Sequence, residues 1–202
     1  MLQKTQSTIS IKKAKQSVSR RLNAGEKGLL QFAVIDDGDT VLQISCSGGA
    51  LLREMLRKHH CQVCGTTGDM AALRVARQSL PDADIIYAQP DDIPWRDESF
   101  SILLCNVDFG QIEDPARLLK EAMRVLKPGG QMLMTLTWYP SPISHMLNYF
   151  SRQEGFENSN HCYSKQEAIA TLEVMGFESV TWHTNEFGSS VVIGWKPKYQ
   201  YA

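Results

Sequence analysis

Val41-Leu42-Gln43-Ile44-Ser45-Cys46-Ser47-Gly48-Gly49 is an apolar run that ends in small residues, and residues 50–57 behind it read as an amphipathic helix. A strand, a tight turn of small residues and a helix make the first half of a crossover, whose return strand lies parallel to the first. Further along, Leu126-Lys127-Pro128-Gly129-Gly130 stops one helix and leads directly into another strand. Between and beyond these two segments, short apolar runs bounded by turn residues alternate with amphipathic stretches. Strands are predicted over 40–45, 61–66, 85–88, 101–106, 131–138, 180–184 and 190–195. The alternation argues for an α/β domain with a mostly parallel sheet covered on both faces.

Two helices carry clear punctuation. Asp114-Pro115 sets an N-cap residue before a proline at the first helical position. From there Leu118, Leu119, Ala122, Met123 and Leu126 form one apolar face, and Pro128-Gly129 is expected to end the helix. Ser164 to Glu167 fits a capping box, and Gly176 sits where a left-handed C-terminal cap belongs. The last two strands are joined only by Asn185 to Ser189, which includes Gly188, a spacing that suits an antiparallel pair.

Composition narrows the function classes. With 202 residues, 43% apolar and 21% charged, the chain reads as one globular domain: a helical segment over 1–39 packed on a body over 40–202. A net charge of -1 gives no general attraction to nucleic acid or to an anionic membrane. The N-terminus has the pattern of neither a signal nor a transit peptide, no apolar run reaches a membrane span, and the five cysteines show no disulfide framework. A cytoplasmic location is expected. The early stretch is locally basic, with Lys4, Lys12, Lys13, Lys15, Arg20, Arg21 and Lys27 against Glu26, and is read as a solvated helix face and a frayed terminus. Cys61 and Cys64, beside His59 and His60, suggest metal or redox chemistry, but one short cluster on a strand fits small apolar packing better.

The ordered set of segments from about 40 to 195 resembles class I S-adenosylmethionine-dependent methyltransferases, in particular the small-molecule group similar to ubiquinone/menaquinone-biosynthesis enzymes. After the first turn come Gly65, then Leu73, Ala76 and Arg77, then Asp91-Asp92-Ile93-Pro94-Trp95 and Asp97-Glu98-Ser99-Phe100, then Glu113-Asp114-Pro115 and the Lys-Pro-Gly-Gly turn. The resemblance implies a Rossmann-like, doubly wound, seven-stranded and mostly parallel sheet closed by a C-terminal antiparallel hairpin strand. It also implies S-adenosylmethionine as cofactor and a small-molecule substrate.

It further implies where the cofactor would sit, on residues that depart from the family pattern. The acid that ends the first strand corresponds to Gln43, and the Gly-x-Gly-x-Gly positions to Ser45, Ser47 and Gly49, with Gly48 adding freedom next door. Serine in a left-handed conformation costs on the order of 1 kcal/mol. The ribose-binding acid corresponds to Thr67, with Asp69 near it; the adenine-binding acid corresponds to Gln89, followed by Pro90, and Asp91 is a displaced candidate. Asn106 is expected to line the cofactor and Asp108 to act as general base. The aromatic and proline-rich segment from Trp138 to Phe150 fits either a substrate lid or a small apolar core. All the replacements form hydrogen bonds, so a polar pocket is expected. Two other functions stand beside the enzyme: a methyltransferase-like fold serving as a binding or partner module, and a dinucleotide-dependent oxidoreductase. The latter is disfavoured because Ser45 to Ala50 does not fit G-x-G-x-x-G.

Overall fold

The structure is a computed structural model that describes residues 22–107, 112, 114–136 and 163–199. Element order among the described residues is α1 (Ala24–Phe32), β1 (Thr40–Ile44), α2 (Ala50–Lys58), β2 (Gln62–Thr67), α3 (Met70–Ser79), β3 (Asp84–Tyr87) and β4 (Phe100–Cys105). It continues with α4 (Pro115–Val125), β5 (Leu126–Leu136), α5 (Lys165–Val174), β6 (Glu178–Thr184) and β7 (Ser190–Trp195). The seven strands form one sheet in the order β3-β2-β1-β4-β5-β7-β6, parallel from β3 to β5 and antiparallel on both sides of β7. The Rossmann-like architecture and its antiparallel closing strand are as the sequence implied.

Alternation along each strand divides the core. Leu42, Ile44, Leu103, Cys105, Met132 and Met134 meet Leu118, Leu119, Ala122 and Val125 of α4 and Ala168 and Leu172 of α5. On the other face, Val41, Ile102, Leu104, Leu133, Val191 and Ile193 meet Leu29 of α1, Leu51, Leu52 and Met55 of α2, and Leu73 and Ala76 of α3. Burying a leucine or valine contributes about 2 kcal/mol, against about 1 kcal/mol for an N-cap. The apolar face of α4 therefore outweighs its Asp114 cap, which accepts the Arg117 N–H at 2.9 Å.

The start of β5 differs from expectation. Helix α4 ends at Val125, and Leu126 already pairs with Phe100, while Gln131 pairs with Ile102. Residues 127–130 thus bulge outward opposite Ser101, with Gly129 at φ 76°. The Gly129 N–H donates to the Lys196 carbonyl and the Lys196 N–H to the Gly130 carbonyl. The Lys-Pro-Gly-Gly turn is therefore stitched to Lys196, the residue that directly follows β7, rather than left as a free helix stop. The Ser164–Glu167 capping box and the left-handed Gly176 (φ 95°) are present as read from sequence.

Candidate functional site

The strand order reverses between β1 and β4, and in an open parallel sheet a crevice forms at the carboxyl ends of the strands flanking that point. Here β1 runs into the turn before α2. Ser45 takes the left-handed region (φ 56°), as do Gly48 (φ 103°) and Gly49 (φ 76°), whereas Ser47 does not. Of the two serines at glycine positions, only one therefore bears the strain; Gly48 carries the other reversal. Gly49 also has no room for a side chain, since a Cβ would lie 2.7 Å from Leu80 Cδ1. The turn is tied to β2 by the Cys46 N–H donating to the Thr66 carbonyl at 2.7 Å. Burial pushes the Cys46 thiol up to about 11, which leaves it protonated and inert.

Below the turn, Gln43 is 1% exposed and its Oε1 has no hydrogen-bond partner. It stands in register with Gly65 on one side and Leu104 on the other. An unsatisfied buried amide oxygen costs about 1–3 kcal/mol, so its position calls for a donor.

The other sequence candidates fall into two groups. Thr67 ends β2, is 4% exposed, and its hydroxyl accepts the Asp69 N–H at 3.2 Å. Asp69 itself is exposed and accepts the Ala71 N–H at 2.7 Å as the cap of α3, so its carboxylate is spent on the helix. Beyond β3 the exposed Gln89 lays its amide against Gly68, where a Cβ would be 3.3 Å from Gln89 Oε1. Asn106, at the end of β4, accepts the Thr135 hydroxyl at 3.3 Å. Gln43, Ser45, Gly48, Gly49, Thr67, Gln89 and Asn106 thus follow the carboxyl ends of β3, β2, β1 and β4. Asp91 is drawn instead toward α4, with Arg117 at 3.7 Å. Asp108 and residues 138–150 lie outside the described residues.

Two features near this edge escaped the reading of motifs. Gly25, on α1, seats against Asn106 Oδ1 and Thr135 Cγ2, which would be 2.7 and 3.0 Å from a Cβ. Its neighbour Glu26 is 2% exposed within a capping box with Asn23. The Asn-x-x-Glu spacing was the available signal, though it announces a helix start and not a place in the tertiary structure.

At the other end of the sheet, Cys61 and Cys64 line a cleft of about 590 Å³ with Leu56, Leu80, Asp82 and Asp84. Burial raises both thiols, and the two cysteines pack against opposite core layers. Among the described residues no group of three or more metal-ligating side chains occurs, and no helix is long and apolar enough to cross a membrane.

A methyltransferase domain family matches residues 42–134. The chain is 28% identical to a demethylmenaquinone methyltransferase of Thermotoga maritima, over 54% of this chain and 48% of that one. It is 30% identical to a ubiquinone/menaquinone biosynthesis C-methyltransferase of Idiomarina loihiensis, over 55% and 47%. The chain spans about half the length of the curated relatives it matches. In fold it is similar to a chain of the complex between the Haloferax volcanii Trm112 methyltransferase activator and a putative methyltransferase. That match has a TM-score of 0.74 at 19% identity and covers 89% of this chain and 91% of that one. Residues 42–134 thus resemble a methyltransferase domain, and the fold as a whole is that of the solved methyltransferase-like chain.

The residues present suit the amino-acid end of such a cofactor. Gln43 Oε1 is a buried acceptor without a donor, which an ammonium supplies. The first turn of α2 follows Gly49 with no side-chain cap, and free N–H groups at a helix start suit a carboxylate. The Thr67 hydroxyl and the Gln89 amide are neutral groups of hydrogen-bonding type.

Proposed function

We propose that this protein is an S-adenosylmethionine-dependent methyltransferase acting on a small molecule. The observation that carries the reading is the unpartnered, buried Gln43 Oε1 beneath a turn with three left-handed residues, at the point where the strand order reverses. When bound, the cofactor supplies an electrophilic methyl group. The chain's part is then mostly placement: in-line transfer depends on geometry more than on an elaborate acid–base apparatus. Gln43 and the first turn of α2 would hold the amino-acid end, Thr67 and Gln89 the nucleoside end, and Asn106 would line the path between cofactor and acceptor. Asp108, two residues beyond Asn106, is the candidate to receive the acceptor's proton.

The chain's near-zero net charge suits a small acceptor better than a nucleic acid. The Thermotoga and Idiomarina relatives are named for quinone biosynthesis, which makes hydrophobic phenolic or quinone-like acceptors the first to screen.

The test is calorimetry with S-adenosylmethionine and S-adenosylhomocysteine, on protein stripped of carried-over ligand. Binding in the roughly micromolar range that Gly49→Trp abolishes is the expected result. No heat at millimolar ligand, with the protein folded, would remove the methyltransferase reading.

A further inference from the structure

Neutral Gln43 leaves the candidate site without an acid at the end of β1, while α1 carries a buried one, Glu26. Side chains alternate across a strand, so Gln43, Leu104 and Leu133, which are in register, face the same side of the sheet. Asn106 and Thr135 lie on that side too, two residues further along β4 and β5. This is the surface on which Gly25 seats the first turn of α1, and Leu29, one turn on, is buried in the same layer. Glu26 stands between them, 2% exposed.

Its local setting explains only part of its charge: the first turn of α1 favours a carboxylate by about 0.3–1 kcal/mol. Glu26 Oε2 accepts the Asn23 N–H at 2.8 Å, and Asn23 Oδ1 accepts the Glu26 N–H at 2.8 Å. A capping box works as well with glutamine as with glutamate. Burying a carboxylate without a cation is costly, yet among the described residues Glu26 has no ion-pair partner. Lys27, beside it, is engaged 3.9 Å over the Phe187 ring. The other buried charge among the described residues, Lys196, donates to the Leu126 carbonyl at the amino end of β5.

We infer that Glu26 is the anionic group of the cofactor site, its carboxylate on α1 receiving the ammonium of an S-adenosyl amino acid where β1 offers only the neutral Gln43. This rests on the methyltransferase reading. Helix α1 thereby becomes a wall of the site, with Gly25 as the close contact that sets its distance from Asn106.

Glu26→Gln tests the charge while keeping the cap. By calorimetry, affinity for S-adenosylhomocysteine is expected to fall about tenfold, the scale of a charge-assisted hydrogen bond. Affinity for 5′-methylthioadenosine, which lacks the amino-acid end, and the thermal midpoint are expected to stay as in wild type. Unchanged homocysteine-ligand affinity, or an equal loss for both ligands, overturns the inference. A second measurement needs no variant: on the wild-type protein, S-adenosylhomocysteine without its α-amino group is expected to bind about tenfold more weakly, and equal affinity overturns the inference. If the wild type binds none of these ligands, the methyltransferase reading itself fails and this assignment falls with it.

Discussion

Two polar regions on opposite faces of the sheet treat their charges and hydrogen bonds in opposite ways. At α4, Arg124 has a partner for each of its donor nitrogens. Its Nε and one terminal nitrogen hold the two oxygens of Glu121 at 2.8 and 2.7 Å. The same fork reaches the Trp95 and Ile93 carbonyls at 2.8 and 2.9 Å and Asp97 at 2.9 Å. At the β1–α2 turn, by contrast, a buried amide oxygen has no partner and a serine is held in a left-handed conformation. The first arrangement fastens the segment before β4 to the helix after it, and everything it buries is answered within the chain. The second leaves an unmet demand, of the kind a bound ligand can answer.

Breaking the satisfied region has the largest expected effect. Arg124→Ala removes a donor from the Trp95 and Ile93 carbonyls and from the Glu121 carboxylate, and urea unfolding should show a loss of roughly 2 kcal/mol with cofactor affinity largely unchanged. The Arg124 hydrogen bonds hold the Glu121 carboxyl below its ordinary range. A depressed folded-state value means this support is complete above the unfolded-state value, about 4.3, and is lost as pH falls through the folded one. Acid titration of stability should therefore lose part of its slope below about pH 4 in Arg124→Ala.

Relieving the unsatisfied region should do the reverse. Gln43→Leu removes the orphaned oxygen, and the ligand-free protein is expected to gain about 1 kcal/mol in the same measurement while affinity for S-adenosylhomocysteine falls. A variant that loses stability without losing affinity would mean that Gln43 serves the core and not the ligand. The smallest effect is expected from Ser45→Gly. Relief of the left-handed strain is partly offset by the greater freedom of glycine in the unfolded chain, for a net gain under about 1 kcal/mol. Circular dichroism melts against wild type would read it, and a lower midpoint would show that the serine side chain, not the backbone, matters there.

Much of the fold was legible because local rules agreed with it. The apolar alternation located all seven strands, and Asp114-Pro115, Ser164 with Glu167, and Gly176 each act as their residue types suggest. The strand boundaries moved where pairing overrode local preference, most clearly at Leu126, which joins β5 as soon as α4 ends because Phe100 lies opposite. The site was less legible. Aligned positions pointed to Gln43, Thr67, Gln89 and Asn106, but not to what each does locally: Asp69 is taken by a helix cap and Asp91 by Arg117.

What the sequence determined by itself is the class of architecture and the place of the turn, since both follow from periodicity and from residues whose backbone preferences act over a few neighbours. What only the tertiary structure decided is which polar groups are left over. Whether Gln43 finds a donor, or whether Glu26 lies beneath a helix or in water, depends on residues more than a dozen positions away and on the exclusion of solvent between layers. Burial and hydrogen-bond satisfaction are properties of the packed assembly, and no local pattern encodes them.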